Sequence, residues 1–123
     1  MCKKIILSIK PKYVQQIIKG TKKYEYRTKV AKHNITSILI YESYPIKKVV
    51  AEVEVLEVLE MTAEDLWNKT CEYSGTSKEY FDEYFRGRNV AYAYKLGKIT
   101  VYEKAKDLFD FGIKYAPQSF VYL

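Results

Sequence analysis

The sequence predicts an α+β fold in which a mixed, mostly antiparallel sheet closes into a small β-barrel with helices around it. Three observations carry that reading. The predicted elements run β-α-β-β-β-α-α-β-β-β, without the regular βαβ alternation of a doubly wound sheet. The longest strand pattern, at 48–60, changes phase part-way, as a bent barrel strand does. The chain has 123 residues, enough for one domain with a sizeable core, so positions 1–123 read as a single domain.

Each element has its own signal. "KKIILSI" at 3–9 is an apolar run that suits a buried strand. Pro11 opens a helix at the position where a missing N–H costs nothing. Tyr13, Val14, Ile17 and Ile18 then recur on one helical face, and Gly20 ends the helix. "KYEYRT" at 23–28 alternates as a strand, "VAKHN" at 30–34 as a polar loop, and "SILIYES" at 37–43 as a third strand. After the turn "YPIK", Val49, Ala51, Val53 and Val55 share one face of the long strand. Leu56 and Val58 then become the apolar set, so a bulge or sharp bend is expected near Leu56. Thr62 followed by Asp65 starts a short helix at 62–69. Thr76 or Ser77 caps another at 76–87, whose Tyr80, Phe81, Tyr84 and Phe85 have helical spacing. Residues 89–108 suggest two strands turning near Gly97, 109–117 an irregular stretch, and 118–123 a closing strand.

Composition narrows the function classes. Hydrophobic residues make up 48% and charged ones 29%, as in ordinary globular proteins. No apolar run is long enough for a membrane span, and the N-terminal patch ends at Leu7 without a cleavage site, so no signal peptide is read. Cys2 and Cys71 then read as reduced thiols, which points to the cytoplasm. The single histidine, His33, reads as a surface residue of a polar loop. One histidine and two distant cysteines do not make a usual zinc site, and no nucleophile elbow, P-loop or dinucleotide fingerprint is present. No metal or cofactor is therefore expected.

The net charge of +6 conceals a polarity. Residues 1–48 hold 12 Lys/Arg against 2 Asp/Glu, residues 49–83 hold 2 against 10, and residues 84–123 hold 7 against 3. A basic segment of that strength suits an anionic partner such as RNA or DNA, and the acidic stretch offers a face for a protein. Tyrosine is abundant, at 13 residues, and its ring can stack on bases while its hydroxyl hydrogen-bonds.

One stretch stands out. "GTKKYEYR" at 20–27 sets Lys22, Glu25 and Arg27 between a helix and a strand. Glu25 and Arg27 are two apart and share a strand face, whereas Tyr24 and Tyr26 take the other. Facing a barrel interior, the two charges must compensate each other. A carboxylate so held can accept from a base or ribose, and the arginine and lysine can bind phosphate or an oxyanion.

Residues 20–27 read G-x-K-x-x-E-x-R, which resembles the motif that marks ASCH domains, a branch of the PUA-like superfamily. The resemblance extends through "ILSIKPKYVQQIIKGTKKYEYR" (6–27), "LIYESYPIKKVVAEVEV" (39–55) and "APQSFVYL" (116–123). It implies a PUA-like β-barrel with surrounding helices and an RNA-binding role in translation or RNA-linked regulation. It also implies a cleft lined by Lys22, Glu25 and Arg27, with Ser8 and Lys10 from the first strand and Tyr26, Tyr41 and Tyr44 as stacking partners. One ASCH-type group removes the acyl group from N4-acetylcytidine with a threonine, a lysine and a glutamate. Lys22 matches that lysine, but Glu25 stands where the threonine would be, and Thr21 and Thr28 are out of register. If the chain is an enzyme, the resemblance makes Lys22 and Glu25 its catalytic pair, acting on a modified nucleoside or on RNA. Glu79 or Glu83 could then supply a second acid.

Overall fold

The computed structural model describes residues 3–31 and 34–123. Cys2 and His33 lie outside the described residues, so their expected roles have no structural counterpart here. The strands are β1 (Lys3–Ile9), β2 (Tyr24–Arg27), β3 (Ile35–Glu42), β4 (Lys48–Met61), β5 (Ala91–Lys106) and β6 (Phe120–Tyr122). The helices are α1 (Pro11–Lys19), α2 (Ala63–Thr70) and α3 (Lys78–Tyr84). Short 3₁₀ turns occupy Cys71–Tyr73 and Leu108–Phe111.

All six strands form one sheet in the order β2-β5-β4-β3-β1-β6. β1 and β3 run parallel, and the other neighbours pair antiparallel. The α+β class is as predicted, and the sheet curls into a half-barrel. Its two backbone edges, β2 and β6, do not pair with each other.

The region expected to turn at Gly97 is instead one 16-residue strand, β5. Gly97 marks a bulge, the other common use of glycine inside a strand. Val53 pairs with Ile99 but Val55 pairs with Leu96, so β5 carries an extra residue there. A Cβ on Gly97 would lie 2.6 Å from the Glu54 carboxylate, and that same carboxylate accepts the Lys98 backbone N–H at 3.1 Å. One step further, Val55 pairs with Leu96 while Glu57 pairs with Lys95, which makes Leu56 the extra residue of β4. The expected bulge is therefore present, but its apolar consequence differs. Leu56 and Val58 stay exposed, and Leu59 is the residue that turns inward. Past the bulge, β4 leaves the main core and enters a second one beneath α2 and α3.

The main core joins α1 to one face of the sheet. Val14 and Ile17 of α1 pack with Ile5, Leu7 and Ile9 of β1 and with Ile38, Ile40, Ala51, Val53 and Tyr94. On the other face, Ile6, Leu39, Tyr41 and Val49 meet Leu108, Phe111 and Ile113. β1 is thus apolar on both faces because both are covered. In the second core, Phe81 of α3 and Phe85, which caps that helix, reach Tyr26, Leu59, Leu66, Ala91 and Ala93. Thr62 accepts the Asp65 N–H to start α2, and Ser77 rather than Thr76 accepts the Tyr80 N–H to start α3.

Phe81 is 1% exposed and touches the rings of Tyr26, Trp67 and Phe85. We predict that Phe81→Ala lowers unfolding stability by about 3–5 kcal/mol. A urea titration should show an earlier midpoint at unchanged slope; an unmoved midpoint would mean that α3 contributes little to the fold.

Candidate functional site

A cleft of about 240 Å³ opens between the C-terminal end of β1, the start of α1, β2, and helix α3. Its lining includes Ser8, Lys10, Lys22, Glu25, Tyr26 and Arg27, so the structure brings six of the eight residues singled out in the sequence to one place. Tyr13, Thr76, Tyr80 and Tyr84 complete the rim and Phe81 part of the wall.

Lys22 forms the floor. Gly20 ends α1, and the chain crosses back so that Lys22 is only 3% exposed just before β2 begins. Its ammonium donates to the Ser74 carbonyl at 2.6 Å and sits 4.9 Å from the ring centres of both Tyr13 and Tyr26. An ammonium has three donors, so the Ser74 bond leaves capacity for a ligand. Burial lowers its pKa below the ordinary lysine value; the Glu25 carboxylate opposes that shift and the Arg27 charge adds to it. Gly75 makes the close packing possible. It has φ +70°, and a Cβ there would lie 2.8 Å and 2.9 Å from the Lys22 stem.

Glu25 and Arg27 form a mostly buried pair. The Arg27 Nε donates to Glu25 Oε2 at 3.0 Å, and the Arg27 Nη2 donates to the Ser8 backbone carbonyl at 2.5 Å. Two of the five guanidinium donors are thereby committed to the fold. The Ser8 hydroxyl in turn donates to the Pro117 carbonyl at 2.9 Å. Lys10 is exposed at the cleft mouth.

The tyrosines divide. Tyr26 is buried, with its hydroxyl donating to Thr70 Oγ1 at 2.7 Å while that oxygen donates to the Leu66 carbonyl. Its ring packs edge-on against Phe81 and Phe85, so it forms wall rather than a free stacking face. Tyr41 is buried in the core on the opposite face of the sheet. Tyr44 is 77% exposed and, like Tyr41, does not line this cleft. The sequence did not distinguish Tyr41, on a strand, or Tyr44, in the turn after it, from cleft residues. Glu79 and Glu83 do not line it either.

Tyr13, Tyr80 and Tyr84 escaped notice because each also fits an apolar helix face. The available signal was the pairing in α3. Phe81 and Phe85 point to the core, while Tyr80 and Tyr84 precede each by one residue and lie about 100° around the helix. Their exposures, 45% and 37%, match that flanking position.

The ASCH domain model matches residues 7–108. The chain belongs to the ASCH family. The crystal structure of ASCH from Zymomonas mobilis superposes with a TM-score of 0.89 at 22% identity, covering 98% of this chain and 87% of that one. A protein named ASCH domain-containing ribonuclease, also from Zymomonas mobilis, is 24% identical over 95 residues, 76% of this chain and 64% of that protein. Two longer Ureaplasma parvum proteins are also similar across 97% of this chain. One is named ATP synthase subunit alpha, at 31% identity, and the other large ribosomal subunit protein uL22, at 32%. This chain spans only 15% and 39% of their respective lengths. Among the described residues, no group of His, Cys, Asp and Glu is placed to hold a metal, and no helix is long and apolar enough to cross a membrane.

Two outcomes follow from this geometry. Gly75→Ala puts a side chain at a left-handed φ and against the Lys22 stem, so unfolding stability should fall by about 1–2 kcal/mol in a denaturant titration. Burial raises the Tyr26 pKa to about 12. The unfolded tyrosine ionises near 10, so the unfolded state loses its proton first and stability declines as pH rises from about 10 to 12. Thermal melts across that range should decline less steeply in Tyr26→Phe than in the wild type.

Proposed function

We propose that this chain binds RNA and seats one nucleotide in the cleft over Lys22. The observation that carries the reading is a buried ammonium with spare donors beside a buried carboxylate, at the bottom of an aromatic-walled cleft. Lys22 then donates to a base carbonyl or phosphate oxygen. Glu25, with Oε2 on Arg27, uses Oε1 to accept from a base N–H or a ribose hydroxyl. The uncommitted Arg27 donors and Lys10 face phosphate. The 12 basic residues within positions 1–48 supply a favourable field. The domain as a whole, 1–123, acts as one RNA-linked module, in regulation or translation, and its setting is the cytoplasm.

Hydrolysis of RNA is the second reading, favoured by the similarity to a protein named as a ribonuclease. Glu25 would take the proton of the ribose 2′-hydroxyl as its oxygen attacks the adjacent phosphorus. The bond from phosphorus to the next nucleotide's 5′-oxygen would break, and Lys22 would stabilise the charge and give that leaving oxygen its proton. The same pair could activate water against a modified nucleoside such as N4-acetylcytidine. Here Glu25 replaces the threonine that such enzymes use.

Fluorescence anisotropy with a short single-stranded RNA tests the binding reading. Affinity should fall linearly with salt on logarithmic axes, because phosphate contacts release counterions. Lys22→Met keeps the stem volume and removes the charge, and should weaken binding by about tenfold or more. Binding that ignores both salt and Lys22→Met would sink the proposal. Arg27→Ala is a poorer probe, since it leaves Glu25 buried without its partner, a loss of about 3–5 kcal/mol in stability. For hydrolysis the decisive variant is Glu25→Gln: RNA cleavage that persists in it removes Glu25 from the chemistry.

A further inference from the structure

α3 and its C-terminal cap Phe85 carry four aromatic residues in six positions, and two of them, Phe81 and Phe85, are buried in the core. Phe81 and Phe85 are 1% and 2% exposed, whereas Tyr80 and Tyr84 stay half-open to solvent. The two tyrosine rings lie nearly parallel, 9° apart in orientation, with centres 6.4 Å apart. Tyr13 of α1 extends the row, 6.4 Å from Tyr80. Basic charge accompanies it: the Lys10 ammonium lies 6.0 Å from the Tyr80 ring centre and the Lys12 ammonium 5.5 Å from that of Tyr13. Tyr13, Tyr80 and Tyr84 all belong to the rim of the Lys22 cleft.

Tyr84 rests its ring against Phe85 at 4.9 Å, yet both tyrosines keep more than a third of their surface in water, and aromatic surface is costly to keep exposed. Parallel faces are what a nucleobase stacks on, and flanking lysines match the phosphate that joins one nucleotide to the next. We propose that Tyr80 and Tyr84 form a second subsite, which stacks the base next in sequence to the nucleotide held over Lys22, with Lys10 and Lys12 on the connecting phosphate. The inference rests on the RNA reading above and extends it. The site takes a stretch of at least two unpaired nucleotides, because a base on this wall has left its helix partner. Stacking tolerates any base, so this subsite sets the length of strand bound rather than its sequence.

The test compares a mixture of the four ribonucleoside monophosphates with random-sequence RNA trinucleotides, as competitors of a labelled eight-nucleotide RNA. On the wild-type chain the trinucleotides should compete about 10- to 100-fold better, the range expected for one stacked base. In Tyr80→Leu/Tyr84→Leu that advantage should shrink to within a few-fold, whereas Tyr80→Phe/Tyr84→Phe should keep it. A wild-type advantage near one, or an advantage that survives in the leucine variant, overturns the subsite and leaves the RNA reading standing. The second of these outcomes would assign the gain to phosphate charge alone. If the labelled RNA does not bind the wild-type chain at all, the subsite and the RNA reading fall together.

Discussion

The guanidinium of Arg27 holds together what the backbone leaves apart. β2 is one edge of the sheet, and β1 lies next to the other edge, β6. β6 pairs with β1 only as far as Leu7, so the next residue, Ser8, keeps Tyr41 of β3 on one side and has no strand partner on the β6 side. Arg27 spans the gap with one bond to the Ser8 carbonyl and one to Glu25. A half-barrel thus acquires a side-chain seam between β2 and β1. The cleft opens over this seam. Were Arg27 neutral or absent, a buried carboxylate would lack its counter-charge, and β2 would lose its tie to β1.

The seam also fixes what the floor of the cleft can be. Glu25 is committed on one oxygen and Arg27 on two donors, so both side chains are held in place before any ligand arrives. Lys22 is restrained differently, by the Ser74 carbonyl, two tyrosine rings and the tight approach of Gly75. The result is a preorganised set of donors and acceptors in a setting of low polarity, where each hydrogen bond counts for more than in water. The protein sustains this at some cost to stability, since a buried ammonium with a lowered pKa is a charge the fold would shed more easily than solvent would.

Much of this was legible in the residues, for identifiable reasons. The α1 boundaries follow from Pro11 and Gly20, and the Leu56 bulge follows from the change of phase in β4. Both are local effects, which a short window contains. Gly97 misled because a glycine in a strand pattern signals a turn or a bulge equally well, and only the partner strand decides. The motif placed Lys22, Glu25 and Arg27 together, but not the use of Arg27 as a bridge to Ser8, which depends on a contact across 19 positions. Tyr41 and Tyr44 looked equivalent to Tyr26 in the sequence. One is buried on the far side of the sheet, and the other projects from the turn after β3. Which face a side chain takes is set by how strands curl, and that is a property of the whole sheet.

The pairing of β1 with β6 has a wider meaning. Ile5 lies opposite Tyr122, so strands from the two ends of the sequence run side by side. A unit built this way enters and leaves a longer polypeptide at nearly the same point in space. It can be carried by another protein as a pendant, with little demand on the geometry of its host. Similar stretches within much longer Ureaplasma proteins are what such a self-closing unit permits. Portability of this kind belongs to the topology, and it holds whatever the cleft has come to recognise.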